Sequence, residues 1–99
     1  MTVKEKAYDQ TPAILLNIVN DIGEMWKADV QRLDGERLAL KTEMYGIKTA
    51  YTLRVVGSPA GTTVTVETED EDENAERRIL LLFATIDHML SPLLDVTDT

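Results

Sequence analysis

An acidic run from Glu67 to Glu76 leads straight into Ile79-Leu80-Leu81-Leu82-Phe83-Ala84, where every residue is apolar. Ile86, Met89, Leu90, Leu93 and Leu94 continue the pattern. At helical spacing Ala75, Ile79, Leu82, Phe83, Ile86, Met89, Leu90 and Leu93 form one wide apolar stripe, while Asn74, Arg78, Leu81, Thr85 and His88 form the opposite one. A helix of about 20 residues is about 30 Å long, enough to lie across a small sheet. Leu80 and Leu81 fall outside the main stripe, so the helix is expected to be covered on a second side as well. Either the sheet curves around it or a second subunit covers it.

The middle of the chain supplies that sheet. Trp26, Ala28 and Val30 alternate with Lys27, Asp29 and Gln31; Leu38, Leu40, Thr42 and Met44 alternate with Arg37, Ala39, Lys41 and Glu43. Asp34-Gly35 between these runs is a hairpin signal. After a turn near Tyr45-Gly46, Thr49, Tyr51, Leu53 and Val55 share one face, and Val64 and Val66 share a face in the fourth run. Gly57-Ser58-Pro59-Ala60-Gly61 reads as a loop. Period-two alternation with short connections predicts an antiparallel meander with one wet face.

Upstream, Val3 to Tyr8 reads as a short strand with Thr2, Lys4, Lys6 and Tyr8 on one side. Thr11-Pro12 reads as a helix start, with the Thr11 hydroxyl as cap. Ile14, Leu15, Ile18, Val19 and Ile22 then give an apolar face, and Gly23 a stop. The final helix is expected to begin after Asp70, with Glu73 at the reciprocal capping position and a Glu73–Arg77 pair, and to be interrupted at Ser91-Pro92. Residues 1–99 thus predict a single α+β domain: a four- or five-stranded antiparallel sheet packed by an N-terminal helix and a long C-terminal helix.

Charge and composition narrow the function. The acidic run holds seven acids and no base, and removing those charges from the net −8 leaves −1, so the acidity is local. The ten Lys and Arg residues are scattered apart from Arg77-Arg78, which argues against a nucleic-acid partner. The run contains no Gly, unlike a calcium loop, and reads as a solvated turn that favours the following helix N-terminus. There is no cysteine, and His88 is the single histidine, so no metal cluster and no nucleophilic triad is expected. No cofactor is indicated, and no activated nucleophile or matched acid and base points to an enzyme. The apolar runs are too short to cross a bilayer and the N-terminus has no apolar leader, so a soluble, cytoplasmic protein without a membrane partner is expected.

Trp26 reads as a plug at the end of the core rather than a pocket wall. Of the three tyrosines, Tyr8, Tyr45 and Tyr51, the last lies on the face assigned to the core.

Thr2 to Tyr8 leading into Thr11-Pro12, Tyr51-Thr52-Leu53 followed by Pro59-Ala60-Gly61-Thr62-Thr63-Val64, and a last helix through Phe83, Ile86 and Met89 give an order that resembles a shortened helix-grip protein. That superfamily includes Bet v 1, START and polyketide cyclase-like domains. The resemblance implies an apolar cavity between sheet and C-terminal helix. Two functions are therefore expected. The first is a non-catalytic protein-interaction or homo-oligomeric module, with Leu80 and Leu81 at the interface and a homodimer as one form. The second is a binder of a small apolar ligand, with Tyr51, Leu53, Phe83, Ile86 and Leu90 lining the site. A domain this short can scarcely leave its core hollow, which favours the first.

Overall fold

The computed structural model describes residues 1–44, 46–71 and 73–95, with backbone alone for 44 and 91–95. Its elements are β1 (Thr2–Tyr8), α1 (Pro12–Met25), β2 (Asp29–Arg32), β3 (Arg37–Met44), β4 (Ile47–Ser58), β5 (Gly61–Thr68) and α2 (Ala75–Asp95). The sheet is antiparallel throughout, in the order β1-β5-β4-β3-β2. Four strands are the expected meander, and β1 completes the sheet by pairing with the last of them, Thr2 opposite Thr68 and Tyr8 opposite Thr62.

Both helices contact the sheet and each other. The core lies between them: Leu38, Leu40, Tyr51, Leu53, Val55, Val64 and Val66 from the strands meet Leu15, Ile18, Val19 and Ile22 of α1 and Ile79, Leu82, Phe83, Ile86 and Leu90 of α2. These are the residues that the period-two and helical patterns assign to inward faces. On β1 the inward side is the polar one. Lys4 reaches Glu76 at 2.9 Å, Lys6 pairs with Asp87, and Tyr8 is buried. Burial chiefly, with the Asp87 charge adding, holds the Tyr8 hydroxyl far above the usual phenol range.

The ends of the elements depart from expectation. Thr11 is the N-cap of α1 with extended backbone and Pro12 opens the helix, but the Thr11 side chain makes no capping bond. Gly23 does not stop the helix. It sits inside and buried, where an added Cβ would stand 2.3 Å from Val30 Cγ2, so α1 approaches β2 through it. The helix ends two residues later, with Lys27 at φ 54°; the Lys27 N–H donates to the Glu24 carbonyl at 3.2 Å and the Ala28 N–H to the Gly23 carbonyl at 2.8 Å. This is a Schellman closure with lysine in the position glycine usually takes. Trp26 consequently belongs to the end of α1 rather than opening a strand.

Similarly, Gly57 and Ser58 extend β4 rather than joining a loop, and Gly61 opens β5. At Gly61, φ is 139° and a Cβ would fall 2.4 Å from the Tyr8 carbonyl oxygen, which requires glycine. Next to it, the Thr62 hydroxyl donates to the Gln10 carbonyl at 2.6 Å, tying the end of β1 to β5.

α2 starts at Ala75, so neither Asp70 nor Glu73 forms the capping box. Asp70 accepts from Arg78 Nη2 at 3.2 Å instead, and its carbonyl accepts from the Thr2 hydroxyl at 2.9 Å. The helix continues through Ser91-Pro92 to Asp95. Pro92 lies close to the helix end, where its missing N–H deprives the helix of one backbone bond.

Candidate functional site

The core-facing rows of β3 and β4 change character along their length. Leu38 pairs with Leu53 and Leu40 with Tyr51, but the next pair is Thr42 with Thr49, and the last pair brings Ile47 to the hairpin end. Apolar packing therefore thins out at that end, beneath the C-terminus of α1 and the first turns of α2. A cavity of about 170 Å³ fills the gap, lined by Trp26, Thr42, Ile47, Thr49, Tyr51, Arg78 and Leu81.

Its walls are set by the surrounding elements. Trp26 is placed by the Schellman closure and packs partly against the core. Leu81 stands one helical turn beyond Arg78 and is 52% exposed, while Ile47 is 57% exposed. These two side chains form the mouth. Leu80, 49% exposed, continues the apolar surface outward along α2.

Polar groups gather on the floor. Thr42 is only 8% exposed, and its Oγ1 has no hydrogen-bond partner among the described residues. The Arg78 guanidinium is half-buried and meets the Asp70 carboxylate. Burial raises the Tyr51 hydroxyl above its ordinary value; the Arg78 charge opposes, Asp70 reinforces, and hydrogen bonds with Arg78 and Thr49 oppose. Tyr51 therefore stays a neutral phenol, and the Arg78 charge is already met by a carboxylate. The site is apolar in its walls and nearly neutral at its base. A larger hollow of about 350 Å³ adjoins it across Thr42 and Thr49, but Lys27, Lys41 and Lys48 face Asp29 and Glu43 there and give no single chemistry.

Of the residues expected to line a ligand site, Tyr51 borders this cavity. Leu53, Phe83, Ile86 and Leu90 lie together in the packed core. Leu80 and Leu81 are exposed on α2 as the stripe requires, and Leu81 alone of the two borders the cavity. Trp26 does both things weighed for it, packing on the core and lining a pocket. Tyr45 lies outside the described residues. Thr42, Thr49, Ile47 and Arg78 were not anticipated. For the threonines alone the alternation carries a signal, since they hold inward positions directly opposite each other on β3 and β4.

The acidic run is divided among separate tasks. Glu67 lies within β5 and Glu69 just past its end, Asp70 meets Arg78, Glu71 pairs with the N-terminal amine, and Glu76 meets Lys4. Among the described residues no group of three metal-ligating side chains comes together, and no helix is long and apolar enough to cross a membrane.

No family model matches the chain, and a search of curated proteins finds no match. Among solved structures, the crystal structure of protein MLL2253 from Mesorhizobium loti is similar over 99% of this chain and 98% of its own, with a TM-score of 0.63 and 16% identity. At that identity the likeness establishes a shared fold and nothing further.

Proposed function

We propose that this protein is a non-catalytic protein-interaction module that takes one side chain of a partner into the cavity between α2 and the β3–β4 hairpin. The observation that carries the proposal is the exposure of Leu81 and Ile47 at the mouth of a cavity already walled by Trp26 and Tyr51. Fully burying an aliphatic side chain of this size contributes about 1.5–3 kcal/mol, so a partner covering this rim gains a usable increment at little conformational expense. Volume supports a side chain over a free ligand. Sites for drug-sized molecules run to roughly 300–1,000 Å³, whereas this cavity holds about 170 Å³. The simplest partner is a second copy of the chain, with Leu80 and Leu81 in the contact.

The alternative, a small apolar ligand between sheet and C-terminal helix, draws support from Tyr51, which links the cavity to the core. It requires Leu53 and Ile86, both fully buried, to make room.

Sedimentation velocity over a concentration series, with Leu81→Glu beside the wild type, tests the proposal. Reversible association that Leu81→Glu abolishes without altering the circular dichroism supports it. A wild type that stays monomeric at its solubility limit, and whose amide spectrum is unmoved by peptides carrying a central Leu, Phe or Tyr, overturns it.

A further inference from the structure

The face of the sheet turned away from both helices carries its charges in two separate fields. On β1 the lysines face α2, where Lys4 meets Glu76 and Lys6 meets Asp87, so the outward side keeps only Val3, Glu5 and Ala7. β5 adds Thr63, Thr65 and Glu67 outward, and the exposed Glu69 follows. That half of the face holds acids and no basic side chain. β4 and β3 present Lys48, Arg54, Arg37 and Lys41 outward, with Glu43 as their one acid. Among the described residues no ion pair joins the acids of the first half to the bases of the second. Between the charges the side chains are short, as at Ala39, Ala50, Thr52, Thr63 and Val56, so the face has little relief.

We infer that a second copy of the chain docks on this face, through an isologous contact whose two-fold axis runs parallel to the strands between β5 and β4. Such an axis lays β5 over the partner's β4 and β1 over the partner's β3. In the register of the sheet one outward row reads Glu5-Thr65-Arg54-Arg37, and the next Val3-Glu67-Thr52-Ala39. The axis therefore sets Glu5 against the partner's Arg37, Thr65 against the partner's Arg54 and Val3 against the partner's Ala39, each contact made twice. An axis across the strands would lay every strand on its own copy, acid against acid and base against base, which complementarity of charge disfavours. Arg37 donates through Nε to Asp34 at 2.7 Å and Arg54 through Nη2 to Glu36 at 3.4 Å. A guanidinium carries five donors, so each can serve a second carboxylate. The area is also sufficient. Four strands about 4.8 Å apart, each the length of the eight-residue β5 at about 3.3 Å per residue, cover roughly 500 Å² in projection. The accessible surface of a face bearing side chains exceeds its projection, which brings the contact close to the roughly 800 Å² per partner of a stable interface. This contact lies on the opposite side of the sheet from the cavity, so it stands independently of the interaction role proposed above.

Sedimentation velocity over a concentration series tests it with four proteins, each the full chain: wild type, Leu81→Glu, an acid-side variant (Glu5→Lys with Glu67→Lys) and a base-side variant (Lys41→Glu with Arg54→Glu). The expected result is a dimer in wild type and in Leu81→Glu, weakened by added salt because the paired charges are screened. Neither charge variant is expected to dimerise at concentrations where the wild type does. Mixed in equal amounts, the two charge variants are expected to associate again, since each then meets the opposite sign. The salt dependence is read within the wild type, so the inference remains testable if a variant folds poorly. A dimer lost in Leu81→Glu and kept in both charge variants attributes self-association to the cavity; that overturns the sheet contact and leaves the interaction module standing. A mixture that stays monomeric while both variants keep the wild-type circular dichroism overturns it too. So does a monomeric wild type, which leaves the face to solvent or to a different protein.

Discussion

Replacing Gly23 by alanine should test the way α1 sits on the sheet. At an unobstructed helical site this change stabilises by about 1 kcal/mol, because alanine is the better helix former. Here the new Cβ would stand 2.3 Å from Val30 Cγ2 and 3.6 Å from Leu40 Cδ1. Ordinary carbon–carbon contact is about 3.5–4.0 Å, so α1 and β2 must separate by more than about 1 Å or Val30 must leave its rotamer. Overpacking of this sort costs about 1–3 kcal/mol. Set against the helix gain, Gly23→Ala should lie between neutral and about 2 kcal/mol destabilising. The cycle with Val30→Ala is more decisive than the single change. Val30 is half-buried, and its truncation alone should destabilise by about 1 kcal/mol. In that background the obstruction is gone, so Gly23→Ala should become stabilising by up to about 1 kcal/mol. Urea denaturation of the four proteins, followed by the fluorescence of Trp26 and by circular dichroism, gives the coupling. A Gly23→Ala protein that is more stable than wild type, or a cycle that closes without coupling, refutes the close approach of helix and strand at this glycine.

Other expectations follow from the same structure. Lys27→Gly should stabilise by about 0.5–1 kcal/mol, since Lys27 holds φ 54° where glycine carries no Cβ penalty; an unchanged denaturation midpoint would sink this. Asp34 accepts from the Glu36 N–H at 2.8 Å and from Arg37 Nε at 2.7 Å, and these bonds lower its carboxyl from 3.8 to about 2. Its folded value is depressed, so its contribution to stability is complete above pH 3.8 and is lost as pH falls through about 2. A carboxyl titration of Asp34 by NMR should therefore show a midpoint near 2, and one near 3.8 would show that the turn is not held by this side chain.

Much of this architecture follows from local pattern. The alternation in Arg37–Met44 and in Thr49–Val55 predicts both the strands and their inward faces, because burial on one face imposes a period of two whatever the neighbours are, and Asp34-Gly35 marks the turn from β2 into the first of them. The helical stripe of α2 likewise assigns Ile79, Leu82, Phe83 and Ile86 inward and leaves Leu80 and Leu81 out. The role of Leu81 in a cavity wall was not legible, since that depends on which end of the sheet the helix covers.

What the sequence determined by itself is the set of elements and the faces they bury, since periodicity and turn chemistry act over a few residues. Tertiary structure decided the rest. Gly23 looks like a helix stop until Val30 is seen against it, and Asp70 looks like a cap until Arg78 reaches it. β1 shows no apolar side of its own; it becomes an edge strand because β5 offers it a ladder and α2 offers Glu76 and Asp87 to its lysines. The cavity is decided in the same way. Thr42 and Thr49 are ordinary strand residues in the sequence, and they become the floor of a site only where α1 ends and α2 begins above them. Contacts between residues distant along the chain depend on the shape of the whole packed molecule, which local pattern does not specify.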